Sequence, residues 1–593
     1  MDRPWRDWSR PAGGPRFLGV TRLRRVLVGL ASVVVLLVVT SGVASAHAQL
    51  ESTSPSVGSV LLTSPSEVVL HFGEPVEIDF GSLRVIGPRG NRVDDGGTHH
   101  PVGDTHSVAV SVEGNLPDGT YVVAWRVISA DSHPVHGAFV FSVGTAAGAK
   151  RADALATSIA NQSGSSVVGV VYWVVRTAAF VGLLFLVGPA VLLAVIWREG
   201  AHSRRVGKLL WWMWGTLVVA TVAGILVQGI YASALPLTDI VRPSLISDVL
   251  HTRFGEVELL RLLLLAAMVP VLLGLRGRLG APDRRWVWVT PTVCLLSVGL
   301  LLTPGLAGHA STGSSPLLGT LLDVGHLAAA AAWLGGLALL ATFLVTRDPG
   351  DALPDDPSTV TRRVSAVAYA AVAVVVATGV VQSIRQVGSF YALFHTSYGV
   401  TLLVKIGLVV VLVALGAASR HIVHGGGGAL RWVLPDRWSR RPDDAGDVSR
   451  SRLRRSVLAE LGVALAVLGV TAALVNAVPA DQAVAQPFTY SVTTLGVQVN
   501  AIVSPAVAGP TNQIHVYVLS SAGTPRAVPE LDLSLSLPSE SIGPLTIPLT
   551  LEGPGHYYAD NVDIPVAGSW VMKLTVRTDA IDEQEVTTTV PVR

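Results

Sequence analysis

Hydrophobic positions follow two different rhythms along this chain. Between residues 167 and 478 they form eight nearly unbroken apolar runs, near 167–197, 209–233, 257–275, 286–304, 317–345, 364–384, 398–419 and 456–477. A helix crossing a bilayer needs about 20 such residues, so each run predicts a transmembrane span. Pro291 and Pro304 interrupt the fourth, which is the weakest of the eight. On either side the rhythm shortens to alternation. The runs Glu67–Phe72, Ser82–Ile86, Ser107–Val112, Tyr121–Ile128 and Ala138–Val143 are separated by Gly, Pro, Asn and Asp, as in a small β-sandwich or barrel. After Val478 similar runs recur to the end, and Trp570 within one of them suggests an immunoglobulin-like sandwich.

At the start, Arg16, Arg22, Arg24 and Arg25 precede the apolar run Val26–Val39, and Ala44-Ser45-Ala46 has the form of a cleavage site. This reads as an export signal, with an uncleaved anchor helix as the other reading. Cleavage leaves His47 as the amino terminus. The organisation expected is a signal peptide at 1–46, a β domain at 47–144, a linker at 145–166, a transmembrane domain at 167–478 and a β-sandwich at 479–593. The fold class is a multi-domain membrane protein in which an eight-helix bundle carries two outer β modules.

Charge gives the bundle a direction. Twenty Lys and Arg lie in one set of short loops, whereas the opposite set holds only Arg242, Arg253 and Arg385. The basic side is cytoplasmic, so both β modules lie outside. Each module carries four basic against eleven acidic residues, a net of −7. The first also holds seven of the sixteen histidines, which suits a cation. For the whole 593-residue chain the net charge is only +2, charged residues are 14%, and no basic stripe points to nucleic acid. Mean hydropathy is +0.53. The lone Cys294 excludes a disulfide framework, a CxxC motif and a zinc ribbon, and four methionines leave little room for a thioether-rich site.

The sharpest chemistry is His47 with Asp131-Ser132-His133. A free amino-terminal histidine offers its amine and imidazole to one ion, and Asp131 and His133, two apart, share a face in an extended segment. Three nitrogens and one oxygen are the ligand set of tetragonal copper(II). Alone, Asp-x-His reads first as a turn in which the Asp accepts backbone hydrogen bonds. The His47 start, Phe72-Gly73-Glu74-Pro75-Val76, the run Gly119–Pro134 and Gly137-Ala138-Phe139-Val140-Phe141 resemble the CopC family of periplasmic copper-binding proteins. The resemblance covers 47–144 and implies a Greek-key β-barrel holding copper(II) through His47, Asp131 and His133. The family's methionine-rich copper(I) site is not expected, because the module has no Met. His136 is an accessory candidate; His71, His99, His100 and His106 are read as surface or structural.

The membrane region resembles the CopD family in Gly308-His309-Ala310, Asp323-Val324-Gly325-His326-Leu327, Trp333-Leu334-Gly335-Gly336 and Thr396-Ser397-Tyr398-Gly399 followed by Lys405. This implies a multi-pass bacterial plasma-membrane protein of copper uptake or tolerance. Ionisable residues within spans point to function. Asp323 and His326 are one helical turn apart, beneath outer loops that bear His251, His309 and His395, and together they form a candidate copper path. The other reading pairs Asp323 with an intramembrane Arg or Lys to hold the bundle. The C-terminal module's His515 and His556 are expected to hold no metal. The leading function is copper import, with copper(II) captured outside and delivered to the bundle. The alternative is buffering or resistance, with the bundle as anchor or sensor. An oxygenase is disfavoured because Asp131 fills the position oxygen needs, and haem binding because only His326 lies clearly inside a span; no enzyme activity is expected.

Overall fold

A computed structural model describes residues 50–130, 132–145, 148–160, 166–277, 285–308, 316–345, 357–388, 390–423, 445–480, 488–522 and 524–593. The signal segment 1–46 lies outside these. The N-terminal module contains β1 (Leu50–Ser54), β2 (Val60–Leu61), β3 (Glu67–Phe72), β4 (Val76–Ile86), β5 (Ser107–Ser111), β6 (Gly119–Ser129) and β7 (Pro134–Val143). They form two sheets, ordered β1-β3-β5 and β2-β7-β6-β4. Alternate residues of β3, Val68, Leu70 and Phe72, are fully buried between the sheets. Phe72 meets Trp125 edge-on at 5.4 Å, and Tyr121 stacks on Phe141.

The stretch read as a linker is not featureless, since α1 (Ala149–Ala160) forms within it. Ala152 and Ala156, one turn apart, lay a narrow apolar stripe on Val122, Ala138 and Val140 of the sheet. Small side chains let this short helix lie close. Tertiary packing therefore orders a Gly/Ala/Ser-rich sequence that composition alone reads as a tether.

The bundle comprises α2 (Ser166–Val195), α3 (Arg204–Ala232), α4 (Pro243–His251), α5 (Arg253–Leu275), α6 (Arg285–Leu306), α7 (Pro316–Val345), α8 (Pro357–Val387), α9 (Phe390–His395), α10 (Ser397–Val423) and α11 (Ala445–Val475). Eight of these are long and apolar enough to cross a membrane. The proline-interrupted span is one continuous helix, α6. Pro304 cannot donate to the carbonyl of Leu300, but the neighbouring Thr303 hydroxyl does, at 2.7 Å.

Helix α2 is the axis of the bundle, against which α3, α6, α7 and α11 pack. Its apolar window is 67% buried, against 17% in α8 and 11% in α10, whose remaining surface is left for lipid. Where α2 crosses α7 the backbones touch: a Cβ on Gly188 would sit 1.9 Å from the Ala331 carbonyl oxygen, and one on Gly335 2.6 Å from the Gly188 Cα. Only glycine permits that approach.

The C-terminal module contains β8 (Phe488–Thr494), β9 (Val497–Ser504), β10 (Gly509–Ser520), β11 (Glu530–Leu537), β12 (Ile542–Ile547), β13 (Thr550–Gly553), β14 (His556–Ile564), β15 (Gly568–Arg577) and β16 (Glu583–Val592). Two sheets, β13-β14-β10-β9-β8 and β12-β11-β15-β16, enclose a core in which Trp570 is fully buried. Its indole N–H donates to Val566 O at 2.9 Å.

Candidate functional site

The Asp-x-His motif lies in the turn between β6 and β7. His47 and Asp131 are outside the described residues; Ser132 and His133 are within them. The turn is closed by Ser129 N–H donating to His133 O at 2.9 Å and Ser132 N–H to Ser129 O at 2.8 Å. Ser132 adopts a left-handed φ of 71°, which turns the chain towards the bundle. His133 is only 6% exposed. Its Nε2 lies 2.8 Å from Val475 O at the end of α11. A carbonyl only accepts, so Nε2 bears the hydrogen of this contact.

The bundle grips the same turn elsewhere. Gln228 Nε2 donates to Ser132 O at 3.0 Å, and its Oε1 accepts from the Tyr172 hydroxyl at 2.6 Å. The Ser132 hydroxyl points at Ala307 O, 3.4 Å away. Beside the turn, Arg126 Nε donates to Ala232 O at 2.6 Å, and Glu77 accepts from the Arg253 amide. Across the sheet Arg126 pairs with His136, which shares its face. Burial pushes the Arg126 guanidinium below its ordinary value.

Beneath the turn is a cavity of about 70 Å³, lined by Tyr172, Arg176, Glu258, Arg261, Ala307 and Val475 among others. Val475 and Ala307 also receive the contacts of His133 and Ser132, so the motif adjoins the cavity wall from outside. Arg261 Nη1 reaches both Glu258 oxygens at 2.6 Å, and its Nε donates to Thr303 at 2.8 Å. Arg176 lies over the Tyr172 ring and donates to Asn476 Oδ1 at 2.5 Å. The sequence reading missed Glu258, Gln228 and Tyr172. Glu258 could have been found from its i, i+3 spacing to Arg261 in an otherwise apolar run.

A second polar group lies farther into the bundle, between α7, α8 and α10. His326 Nδ1 is 2.8 Å from Thr378 Oγ1, whose own hydrogen goes to Val374 O at 2.7 Å. The threonine oxygen therefore accepts from His326, leaving Nε2 as the lone-pair nitrogen of the neutral ring. Gly379 of α8 lies beside the imidazole: a Cβ there would sit 3.5 Å from its Cε1, at ordinary contact distance. Lys405 is close enough to feel both Asp323 and His326 electrostatically.

The loop histidines do not share one surround. His251 is exposed at the end of α4 and bonds Ser247 O at 2.7 Å. His395 is exposed at the end of α9 and stacks on Tyr391 at 4.2 Å. His309 lies outside the described residues. In the N-terminal module His71 bonds Ser107 Oγ, and His99 and His100 bond backbone carbonyls. Among the described residues no group of three or more His, Cys, Asp or Glu converges on a metal position.

His515 and His556 appear isolated along the chain, but β10 and β14 bring His515 Nδ1 to 3.1 Å from His556 Nε2. Burial and the neighbouring His556 push His515 down to about 4, and burial lowers His556 as well.

Three family models match consecutive parts of the chain: the CopC domain at residues 50–144, the copper resistance protein D-like N-terminal domain at 166–320, and copper resistance protein D at 358–474. The chain is 28% identical over 545 residues to the copper transport protein CutJ of Bacillus subtilis (strain 168), covering 89% of this chain and 93% of that one. It is 30% identical over 112 residues to copper resistance protein C of Pseudomonas syringae pv. tomato, covering 17% of this chain and 85% of that one. The crystal structure of CopC from Methylosinus trichosporium OB3b is 32% identical, covers 16% of this chain and 93% of that one, and superposes with a TM-score of 0.16.

Proposed function

Because the chain belongs to the family of fused CopC- and CopD-type copper resistance and transport proteins, we propose that it captures copper(II) outside the plasma membrane and imports it through the bundle. The capture ligands are His47, freed by removal of residues 1–46, with Asp131 and His133, and with His136 as an accessory. Both β modules are extracytoplasmic, the first a Greek-key barrel and the second an immunoglobulin-like sandwich, and the basic loops face the cytoplasm. The domain boundaries follow the sequence reading, with α1 lying within 145–166.

The observation that carries this reading is the shared wall between the motif and the bundle. Val475 O accepts from His133 and also lines the cavity beneath it. Copper released by the turn needs no diffusion through bulk water to reach the bundle. Arg176 and Arg261 against the single Glu258 make the cavity an unfavourable resting place for a cation. An ion entering there is therefore passed on, towards Asp323 and His326. His251, His309 and His395 belong to the outer approaches of this path.

The same excess of arginine also favours the second reading, in which the bundle anchors or senses and the N-terminal module buffers copper. Copper uptake into sealed vesicles separates the two. Replacement of His326 or Asp323 by Ala is expected to cut uptake by about tenfold or more, as expected for losing a functional intramembrane group, while copper(II) binding by the outer module persists. Unchanged uptake in both variants would remove conduction and leave buffering.

A further inference from the structure

The two histidines of the C-terminal module have a geometry that the capture-and-import reading does not use. His515 and Tyr517 on β10 pair across the sheet with Tyr558 and His556 on β14, so all four rings share one face. The imidazoles are nearly coplanar, at 12°, with centroids 5.4 Å apart. With the nitrogens 3.1 Å apart, the N···N line runs along the line between the ring centres. The two in-plane nitrogen positions therefore face each other with one hydrogen between them.

Charge and aromatic rings surround that pair. Glu552 places an oxygen 4.0 Å from His556 Nδ1, a negative charge beside the pair but beyond hydrogen-bond reach. Tyr517 stacks on His556 at 4.5 Å, and Tyr558 lies over His515 at 4.7 Å. Each imidazole thus has one electron-rich ring against it, which favours a nearby cation. The site also borders the N-terminal module. The Tyr517 phenol lies beside Ser56, and a Cβ on Gly58 would meet Ile502 at 3.5 Å.

We propose that His515 and His556 form a two-coordinate copper(I) site where the two outer modules meet. Two collinear neutral imidazoles supply two of the four ligands that tetragonal copper(II) or tetrahedral zinc require, and among the described residues no group of three or more His, Cys, Asp or Glu converges to supply the rest. Copper(I) accepts a linear pair. The nitrogens would part from 3.1 Å to roughly 4 Å, twice a metal–imidazole bond of about 2 Å. The His515 hydrogen moves from Nδ1 to Nε2 through solvent, so both rings stay neutral and no oxidant or reductant is consumed. The choice of metal rests on membership of the copper family and not on conduction by the bundle.

The test uses the full-length protein in detergent, titrated anaerobically with copper(I) against a chromophoric chelator, and separately with silver(I). Wild type is expected to bind one more equivalent of either ion than His515→Gln or His556→Ala, with the copper(II) stoichiometry equal in all three. His515→Gln keeps a polar group beside His556, so its fold is retained if the alanine variant unfolds; Trp570 fluorescence reports which. The X-ray absorption difference between copper(I)-loaded wild type and His515→Gln should show two collinear nitrogen ligands. Equal copper(I) stoichiometry in wild type and His515→Gln overturns the site. Vesicle uptake that survives loss of this equivalent leaves the import reading standing, so the two can fail separately.

Discussion

The two β modules are matched in charge, yet they present candidate metal-binding groups in opposite ways. The N-terminal module carries His133 in a turn whose Ser132 and His133 meet the bundle at Val475, Ala307 and Gln228. The C-terminal module assembles its pair from strands 41 residues apart, on a sheet face where cross-strand register alone decides who meets whom. A turn can be released by breaking a few hydrogen bonds. A cross-strand pair is as rigid as the sheet that carries it. The first arrangement suits exchange with a partner and the second suits retention.

The largest effect expected from breaking this contrast is at the turn. His133→Ala should lower copper(II) affinity by more than the ~10–100-fold seen when a group merely supporting a ligand is removed. Adding one residue before His47 should do the same through the lost amine. Electron paramagnetic resonance of the full chain reads both, and an unchanged nitrogen-rich tetragonal signal in either variant would refute the assignment. Neither change should alter the copper(I) equivalent held by His515 and His556.

A smaller effect is expected at the seam between turn and bundle. Gln228 is 3% exposed and satisfies both Ser132 O and the Tyr172 hydroxyl. Gln228→Leu leaves two buried polar groups unpaired, at about 1–3 kcal/mol each at most. Limited proteolysis at the turn should accelerate accordingly. Unchanged protection would mean that the seam is held by other contacts.

The smallest effect is a difference in acid response. His515 titrates near 4 in the folded protein, below its usual 6.5. Protons therefore favour the unfolded chain in that window, and the C-terminal module should lose stability as pH falls from 6.5 towards 4. Glu552 and Asp560 partly offset this, since both favour a protonated neighbour. In the N-terminal module, Asp94 is raised by burial, but bonds from Arg92, Val85 and Gly96 outweigh this and hold it below 3.8. Its stabilising share is present above 3.8 and is lost only as pH falls further. Amide hydrogen exchange in β14 and β15 should respond at milder acidity than in β4 and β6, and His515→Gln should remove the gap. Coincident transitions in wild type would contradict the assignment.

Periodicity was sufficient for the coarse architecture, because burying strands and spanning helices impose short and long apolar rhythms that no neighbour is needed to reveal. Eight helices lie where eight apolar runs lie, and the Asp-x-His turn could be singled out because its members are adjacent in sequence. The helix within 145–160 was hidden because its stripe is made of alanines that matter only once Val122 and Val140 lie beneath them. The unbroken α6 was hidden because the Thr303 hydroxyl, not the backbone, satisfies Leu300.

The sequence by itself determined where the chain spans, which loops are basic and which residue types are available to a metal. Only the tertiary structure decided that His133 bonds the end of α11, that Glu258 is held by Arg261 under that turn, and that His515 faces His556. Local pattern records what each residue must bury, whereas a ligand pair depends on register between strands and on close helix crossings such as that of Gly188 and Gly335. Those are properties of pairs distant along the chain, and nothing in the spacing of either member encodes them.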